Sequence, residues 1–260
     1  LEKARSSMEK NKPTNPMLEC WVGDSLCLIK NILVEKPLVL CTKDLNIITE
    51  LATQNNANVY VAYNRRFYNS VYKLKELISD DGGISNIHFE FTEWIDVINK
   101  NGFPREVLNK FFIANSTHVV DTVFNLIGKP EKIQTYISGS SVEWHNSGSI
   151  FMGFGESVFK IPFSYSTNWG SPGRWSIEIL TQKRRFYLRP MEQLFVQEHG
   201  SILITEVEFD KELEIKYKPG LFKMTEAFLF SLDKDNLCCL DQLTSFFPFY
   251  EKIAGYCSDK

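Results

Sequence analysis

Residues 31–37, Asn-Ile-Leu-Val-Glu-Lys-Pro, and residues 59–67, Val-Tyr-Val-Ala-Tyr-Asn-Arg-Arg-Phe, decide the fold of the N-terminal part of this chain. Each begins with a short apolar run, as buried parallel strands do. Pro37 ends the first run because proline cannot donate to a strand ladder. Apolar residues at helical spacing lie between the two runs, namely Leu45, Ile48, Leu51 and Ala52. Strand, helix and strand in this order predict a βαβ unit with a parallel sheet.

The ends of the elements can also be predicted. Thr42 or Asp44 is expected to cap the first helix, and Asn55-Asn56 to close it. A second helix is expected over about 70–79, ending at the Asp-Gly-Gly turn of residues 81–83. Residues 1–20 indicate a short helix followed by a loop.

The spacing of apolar residues changes at residue 85: Ile87, Phe89 and Phe91 alternate with polar residues, as in a half-buried strand. Further strands are predicted at residues 133–138, 149–154, 157–165, 175–181, 184–188 and 202–208. Helices are predicted at about 104–112, 220–231 and 239–254, and one starting at Ser116 as its cap and ending at Gly128. The predicted fold class is a parallel α/β fragment followed by an α+β domain with a large, mostly antiparallel open sheet flanked by helices.

Composition excludes several classes of function. The chain has 260 residues, a net charge of −3 and a pI of about 5.9. It therefore has no basic field for nucleic acid. No run of 18 apolar residues occurs, so we expect no membrane span. The six cysteines form no CxxC pair and no zinc-ligand spacing, which indicates reduced thiols, a cytoplasmic protein and no metal site.

Two residues are candidates for catalysis. Lys36 lies just past the carboxyl end of a parallel strand, where ligands of open α/β sheets bind. The alternative is a surface lysine before a proline turn. His118 lies in the first predicted turn of a helix, where the helix dipole favours its neutral, base-competent form. The alternative for His118 is a packed histidine.

Four segments in order resemble the Gfo/Idh/MocA family of NAD(P)-dependent oxidoreductases, which mostly act on sugars, cyclitols and sugar nucleotides. Residues 32–38 are similar to the family's Glu-Lys-Pro strand end, and residues 61–67 to its Asn-Arg-Arg-Phe turn. Residues 115–121, with Gly-Lys-Pro at 128–130, are similar to its catalytic-histidine helix. Residues 218–222 match a late segment. The order and spacing agree over residues 31–255.

The resemblance implies an oxidoreductase that transfers a hydride between NAD or NADP and a hydroxyl or keto carbon of such a substrate. It implies a remnant of a Rossmann-type dinucleotide-binding domain at residues 1–66 and a substrate and oligomerisation domain at 67–260, with the last helix packing back on the first domain. It also implies a homo-oligomer, a dimer or a tetramer. The residues expected in the site are Lys36 and His118 for catalysis, Glu35, Lys36, Pro37 and Asn64 for the cofactor, and Asn115, Thr117, Trp169 and Arg174 for the substrate, with Trp94 as a further sugar contact.

The chain also departs from the family pattern. Ala114 stands where many members carry an aspartate one turn before the histidine. Asp121, one turn after His118, is expected either to orient the histidine or to face solvent. By resemblance Asn64 lies near the nicotinamide and an arginine of the Arg65-Arg66 pair braces the crossover; a salt-bridged turn is the alternative for the arginines.

The largest departure is that no Gly-x-Gly-x-x-Gly turn for a pyrophosphate occurs in the sequence. Omitted segments, truncation, or a natural remnant would each account for it, and we favour the first two. The alternative function is a non-catalytic relative that serves as a sugar-binding or oligomerisation module.

Overall fold

The computed structural model describes residues 30–256, so the helix and loop expected in residues 1–20 lie outside the described part. The chain begins there with strand β1 (Asn31–Val34), helix α1 (Thr42–Asn55) and strand β2 (Asn58–Val61). The two strands pair in parallel, with Ile32 opposite Val59. The predicted apolar stripe of α1 faces the core. The βαβ unit predicted from the sequence is thereby confirmed.

The two ends of α1 differ in how well they were predicted. Asn56 closes the helix in a left-handed conformation at φ 51°, as expected from the Asn55-Asn56 pair. The expected cap at Thr42 or Asp44 is wrong, because the capping position is Cys41. The Thr42 hydroxyl instead donates to Glu251 Oε2 at 2.6 Å on the last helix. A tertiary contact thus takes the hydroxyl that local spacing assigned to the helix end.

The middle of the chain departs most from the expected elements. The predicted helix over 104–112 is broken, and a helix at 95–100 was not expected. Ser116 does not cap a helix: residues 112–116 form a π-helical segment that runs directly into the next α-helix, and the Ser116 hydroxyl donates to Glu93. The elements are a 3₁₀ turn (Asn64–Phe67), α2 (Asn69–Asp80), β3 (Asn86–Glu90), α3 (Ile95–Lys100), α4 (Arg105–Asn109), the π-helical segment (Phe112–Ser116) and α5 (Thr117–Ile127).

An eight-stranded sheet forms the second layer, in the order β10-β9-β8-β7-β3-β6-β5-β4. Only β3 and β6 run parallel; all other pairs in the sheet are antiparallel. The predicted strand over 157–165 is two strands joined by a turn, the strand at 202–208 is shorter, and β9 was not predicted. The strands are β4 (Pro130–Ser138), β5 (Ile150–Ser157), β6 (Pro162–Asn168), β7 (Ser176–Leu180), β8 (Arg184–Leu188), β9 (Phe195–Glu198) and β10 (Ile204–Glu206).

The C-terminal segment returns to the first sheet. Its elements are α6 (Glu212–Lys216), α7 (Leu221–Phe230), a 3₁₀ turn (Lys234–Asn236), β11 (Cys238–Cys239) and α8 (Leu240–Ala254). Strand β11 pairs antiparallel with β2 and completes a three-stranded sheet. Rings of α8 pack on Phe124 of α5, with centroid distances of 5.5 Å for Phe246 and 6.0 Å for Tyr250. The last helix therefore binds the two layers together around one core.

The predicted fold class is confirmed: a small sheet containing a parallel pair is followed by a large, mostly antiparallel open sheet with helices on it. Within residues 30–256, no helix has the length and apolar character needed to cross a membrane.

Candidate functional site

A buried ion pair positions α5 against the end of β2. The Arg66 guanidinium donates to both carboxylate oxygens of Asp121, at 2.7 and 2.5 Å, and both side chains are fully buried. Tyr250 donates to the same carboxylate at 3.2 Å, and Arg66 also donates to Gln242 at 2.6 Å. Both expectations for Asp121 are therefore wrong: it neither contacts His118 nor faces solvent. Arg66 forms a buried ion pair with Asp121, and its further hydrogen bonds to the Asn236 carbonyl and to Gln242 join the turn after β2 to the C-terminal segment.

His118 lies one turn before Asp121 and is buried between two aromatic rings. Its ring centroid is 5.7 Å from that of Tyr63 and 5.7 Å from that of Trp175. Its Nδ1 has no hydrogen-bond partner in the described part of the chain. Burial, followed by the positive charges of Arg65, Lys36 and Lys218, holds the pKa of His118 well below its usual range. The imidazole is thus neutral at physiological pH.

The cause of that neutrality differs from the one expected. His118 does not sit at a free helix start, because the π-helical segment precedes α5 without a break. Its pKa is therefore lowered by desolvation and neighbouring cations rather than by exposed helix N–H groups.

Lys36 leaves the end of β1 and turns inward. Its Nζ donates to the Ala114 carbonyl at 2.8 Å and to Asn115 Oδ1 at 3.3 Å. Burial, with Arg65 as the next cause, lowers the pKa of Lys36 to about 8, while Glu93 and Glu35 oppose that shift. Lys36 is therefore a fixed, partly desolvated ammonium and not a freely solvated surface lysine.

Glu93 is a residue of the site that sequence reasoning missed. Its side chain is only 2% exposed and accepts hydrogen bonds from Ser116 Oγ at 2.7 Å, Asn115 Nδ2 at 3.1 Å and Trp175 Nε1 at 3.2 Å. Burial raises the pKa of Glu93 to about 7. A signal for it existed, because Glu93 is in phase with the buried alternating positions Ile87, Phe89 and Phe91.

Two arginines stack on Trp175 beside this carboxylate. The guanidinium carbons of Arg65 and Arg174 each lie 4.4 Å from the centroid of its indole ring. Arg174 also lies 4.5 Å from the ring of Trp94 and comes within 3.5 Å of Glu93 Oε2. Trp175 therefore joins both cations, the carboxylate and His118 in one cluster.

A cavity of about 410 Å³ opens at this cluster. Its polar wall consists of Lys36, Glu93, Asn115 and Arg174. The rest of the lining is largely apolar and comes from α3, α4, the π-helical segment and the residues beside them. These apolar residues are Trp94, Val97, Ile98, Phe103, Val107, Phe111 and Ala114. Of the predicted site residues, the structure brings Lys36, Pro37, Asn115, Arg174 and Trp94 together here.

The other predicted site residues do not line this cavity. His118 is not among the residues that line it. Thr117 is buried, and its hydroxyl donates to the Ile113 carbonyl at 2.9 Å. Trp169 is 2% exposed, donates to the Phe91 carbonyl at 3.1 Å and lines an adjoining cavity of about 580 Å³. Asn64 donates to the Pro219 carbonyl at 2.9 Å, and Glu35 is exposed.

Comparison with known proteins agrees with this architecture. No family model matches the sequence. The chain is 27% identical over 150 residues to "Oxidoreductase P35" of Formosa agariphila, which covers 54% of this chain and 45% of that protein. The chain thus spans less than half the length of this curated relative.

Solved structures match over a larger part of the chain. An inositol dehydrogenase homolog of Azotobacter vinelandii, complexed with NADH and myo-inositol, superposes with a TM-score of 0.69 at 12% identity, over 98% of this chain and 80% of that one. The UDP-N-acetylglucosamine 3-dehydrogenase GnnA of Acidithiobacillus ferrooxidans gives 0.64 at 12% identity, over 87% and 70%. A super-repressor mutant of Gal80p from Saccharomyces cerevisiae gives 0.64 at 15% identity, over 87% and 70%. The fold is that of the Gfo/Idh/MocA oxidoreductases.

Two of the residues expected to bind the cofactor follow neighbouring strands of the small sheet. Lys36 and Asn64 come after the carboxyl ends of the parallel strands β1 and β2, the edge at which open α/β sheets bind ligands. Lys36, Pro37 and Asn64 are the residues that would hold the nicotinamide end. The sequence offers no Gly-x-Gly-x-x-Gly turn for the pyrophosphate.

Proposed function

We propose that this chain carries the substrate site of an NAD(P)-dependent oxidoreductase acting on a hydroxyl or keto carbon of a sugar, cyclitol or sugar nucleotide. The observation that carries the proposal is a fixed Lys36 ammonium at the cavity wall together with a buried, neutral His118 close enough for the Lys36 charge to lower its pKa. The Nδ1 of His118 has no hydrogen-bond partner in the described part of the chain. Two structural neighbours support the substrate class, one being complexed with NADH and myo-inositol and the other being a sugar-nucleotide dehydrogenase.

Each residue has a defined role in this reaction. Lys36 has three N–H donors and uses two of them on Ala114 and Asn115, so one remains for the reacting oxygen. Its charge stabilises the alkoxide that develops when a carbinol is oxidised. His118 is the proton acceptor for the hydroxyl in that direction and the proton donor in the other. A bound nicotinamide, NAD or NADP, would take up or supply the hydride.

The geometry also favours roles for the substrate residues. Arg174 stacks on Trp94 and Trp175, and its one hydrogen bond in the described part of the chain is the 3.5 Å contact with Glu93, so its remaining N–H groups can bind polar or anionic groups of the substrate. Trp94 is 54% exposed at the cavity and offers an aromatic face to a sugar ring. Asn115 is already held between Lys36 and Glu93 and acts on the substrate through Lys36.

Alanine substitution at the two catalytic candidates tests the proposal. Turnover is followed as NAD(P)H absorbance of the full chain with myo-inositol, UDP-N-acetylglucosamine and a panel of hexoses. We expect Lys36→Ala and His118→Ala each to lower kcat about 100-fold or more, because each loses a group that acts only in the transition state.

Matched controls are the exposed Lys43→Ala and His199→Ala, which should leave turnover unchanged. Retention of turnover by both site variants would refute the catalytic assignment.

A non-catalytic relative is the second candidate function. It is favoured by the missing glycine-rich turn, and one neighbour of the same fold is described as a super-repressor mutant rather than by a reaction. In that case the wild-type chain binds a sugar-type ligand in calorimetry, shows no turnover with any of the substrates, and loses ligand binding in Arg174→Ala.

We also propose that the chain forms a homo-oligomer through the open face of the large sheet. Tyr136 and Phe154 are each 64% exposed on β4 and β5, and Met152 pairs with Tyr136 across them. They belong to one surface, which here is named the open sheet face and also includes His88, Gln134, Ser164 and Ser166. An exposed apolar patch of this kind marks an interaction site, and a second copy of the chain is the partner that the resemblance implies.

A further inference from the structure

Glu93, in the stretch after β3, places a carboxylate near the proposed catalytic Lys36. Ala114 leaves the helix without an acidic side chain one turn before His118, yet a buried carboxylate lies two hydrogen bonds from Lys36. We infer that Glu93, three residues past the end of β3, is a positioning residue that holds Lys36 in its reactive geometry through Asn115. The inference rests on the oxidoreductase function proposed above.

The Asn115 amide is the link. Its Nδ2 lies 3.1 Å from each oxygen of Glu93, and its Oδ1 accepts from Lys36 Nζ at 3.3 Å. A carboxylate only accepts and an ammonium only donates, so the amide has one orientation that satisfies both neighbours. With a neutral amide at 93 in place of the carboxylate, this orientation would no longer be imposed.

Glu93 can serve as an anchor because it is itself immobile. Ser116 Oγ and Trp175 Nε1 donate to its Oε1 at 2.7 and 3.2 Å, and Arg174 approaches its Oε2 at 3.5 Å. These donors come from the π-helical segment and from the stretch that leads into β7. Two separate parts of the chain therefore hold the carboxylate in place.

The pKa of Lys36 depends on the charges around it, so measuring that pKa tests the link to Glu93 through Asn115. Arg65 and Lys218 lower the pKa of Lys36, whereas Glu93 and Glu35 raise it. Of these two carboxylates, Glu93 is the one that is buried in the cavity wall and hydrogen-bonded to Asn115, which in turn accepts from Lys36. Removing its charge should lower the pKa of Lys36 further.

The test compares Glu93→Gln with Asp96→Asn in the full chain. Asp96 is exposed on α3 beside the adjoining cavity, and no hydrogen bond joins it to Asn115 or Lys36 in the described part of the chain, so it is a matched control for the loss of one negative charge. The pKa of Lys36 is measured by competitive labelling of its amine with acetic anhydride and peptide mass analysis. We expect it to fall by about half a unit or more in Glu93→Gln and to stay constant in Asp96→Asn.

Kinetics supply the second readout. In Glu93→Gln, kcat should fall about 10-fold with little change in KM, and the basic limb of the pH profile should move to lower pH together with the Lys36 titration. Asn115→Ala breaks the link at another position and should lower kcat similarly without changing the charge. If Glu93→Gln leaves both the Lys36 titration and kcat unchanged, the inference is wrong.

The two proposals fail in different ways. If the wild type turns over and Lys36→Ala abolishes activity while Glu93→Gln and Asn115→Ala do not, only the inference about Glu93 fails. If the wild type shows no turnover, the proposed function fails. Should Glu93→Gln not fold, the Asn115→Ala result decides, since an unchanged kcat there also contradicts a link through that amide.

Discussion

At the scale of one residue, the burial of Glu93 determines its ionisation behaviour. It lies just past β3 in a stretch where Phe91 and Thr92 are also buried, so its carboxyl enters the protein interior although glutamate usually stays in water. Five contacts from donors make burial tolerable, and desolvation still raises its pKa to about 7. The residue is therefore close to half-ionised near neutral pH.

That raised pKa makes stability depend on pH in a definite direction. Between the ordinary value of 4.5 and about 7, the folded state holds a proton that the unfolded state has lost, so the contribution of Glu93 to stability is lost as pH rises through this window. Glu93→Gln removes this loss. Relative to the wild type, the variant should gain roughly 3 kcal/mol in the free energy of unfolding between pH 4.5 and 7.5.

Urea unfolding at the two pH values measures this difference. Asp96→Asn serves as the reference, because Asp96 is exposed and the substitution likewise replaces one carboxylate by an amide. A Glu93→Gln variant whose stability changes with pH in parallel with the wild type would show that Glu93 ionises normally.

At the scale of elements, the Arg66–Asp121 pair decides how α5 meets the small sheet. The pair joins the turn after β2 to the middle of α5, and Gln242 and Tyr250 bring α8 to the same point. His118 lies one turn before Asp121 on α5, so the position of its ring depends on how this ion pair holds the helix. The pair is fully buried, which makes the loss of one partner far more costly than at the surface.

Asp121→Asn should therefore destabilise the protein by about 3–5 kcal/mol, because it leaves the Arg66 charge buried without its counter-ion. Chemical unfolding followed by circular dichroism measures the loss. Glu76→Gln, which breaks the exposed pair with Lys73 on α2, is the control and should leave stability nearly unchanged. A loss at Asp121 no larger than at Glu76 would contradict the role assigned to the pair.

At the scale of the whole molecule, the large sheet has one face in the core and one face open. Phe89, Phe151 and Phe163 fill the inner face, while the open sheet face keeps Tyr136, Met152 and Phe154 accessible. An apolar surface on a half-buried antiparallel sheet is stabilised when another surface covers it. This is the physical basis for the proposed homo-oligomer.

Phe154→Glu should weaken that assembly by placing a charge in the interface. Sedimentation velocity at micromolar concentration should show a dimer or tetramer for the wild type and a shift toward monomer for the variant. Ile215→Glu changes an apolar residue of α6 that is 84% exposed and is not part of the sheet, and it should leave the mass unchanged. A monomeric wild type, or an unchanged assembly in Phe154→Glu, would refute the proposed interface.

The sequence predicted the elements better than the contacts between them. Periodicity located β1, α1, β2, α2 and most strands of the large sheet, because a strand or helix is determined by residues two to four positions apart. It failed over residues 95–116, where two short helices and a π-helical segment replace one predicted helix. Those helices build the apolar wall of the cavity, so the shape of the site could not be predicted either.

The sequence by itself determined the βαβ start, the α+β continuation, and the positions of Lys36 at a strand end and His118 on a helix. Only the tertiary structure decided their surroundings. Lys36 meets Ala114 across 78 positions of sequence, Arg66 meets Asp121 across 55, and the hydroxyls of Thr42 and Ser116 go to Glu251 and Glu93 rather than to helix ends. The physical reason is that local spacing constrains near neighbours, whereas burial and hydrogen-bond satisfaction depend on whichever distant groups the packed core brings within reach.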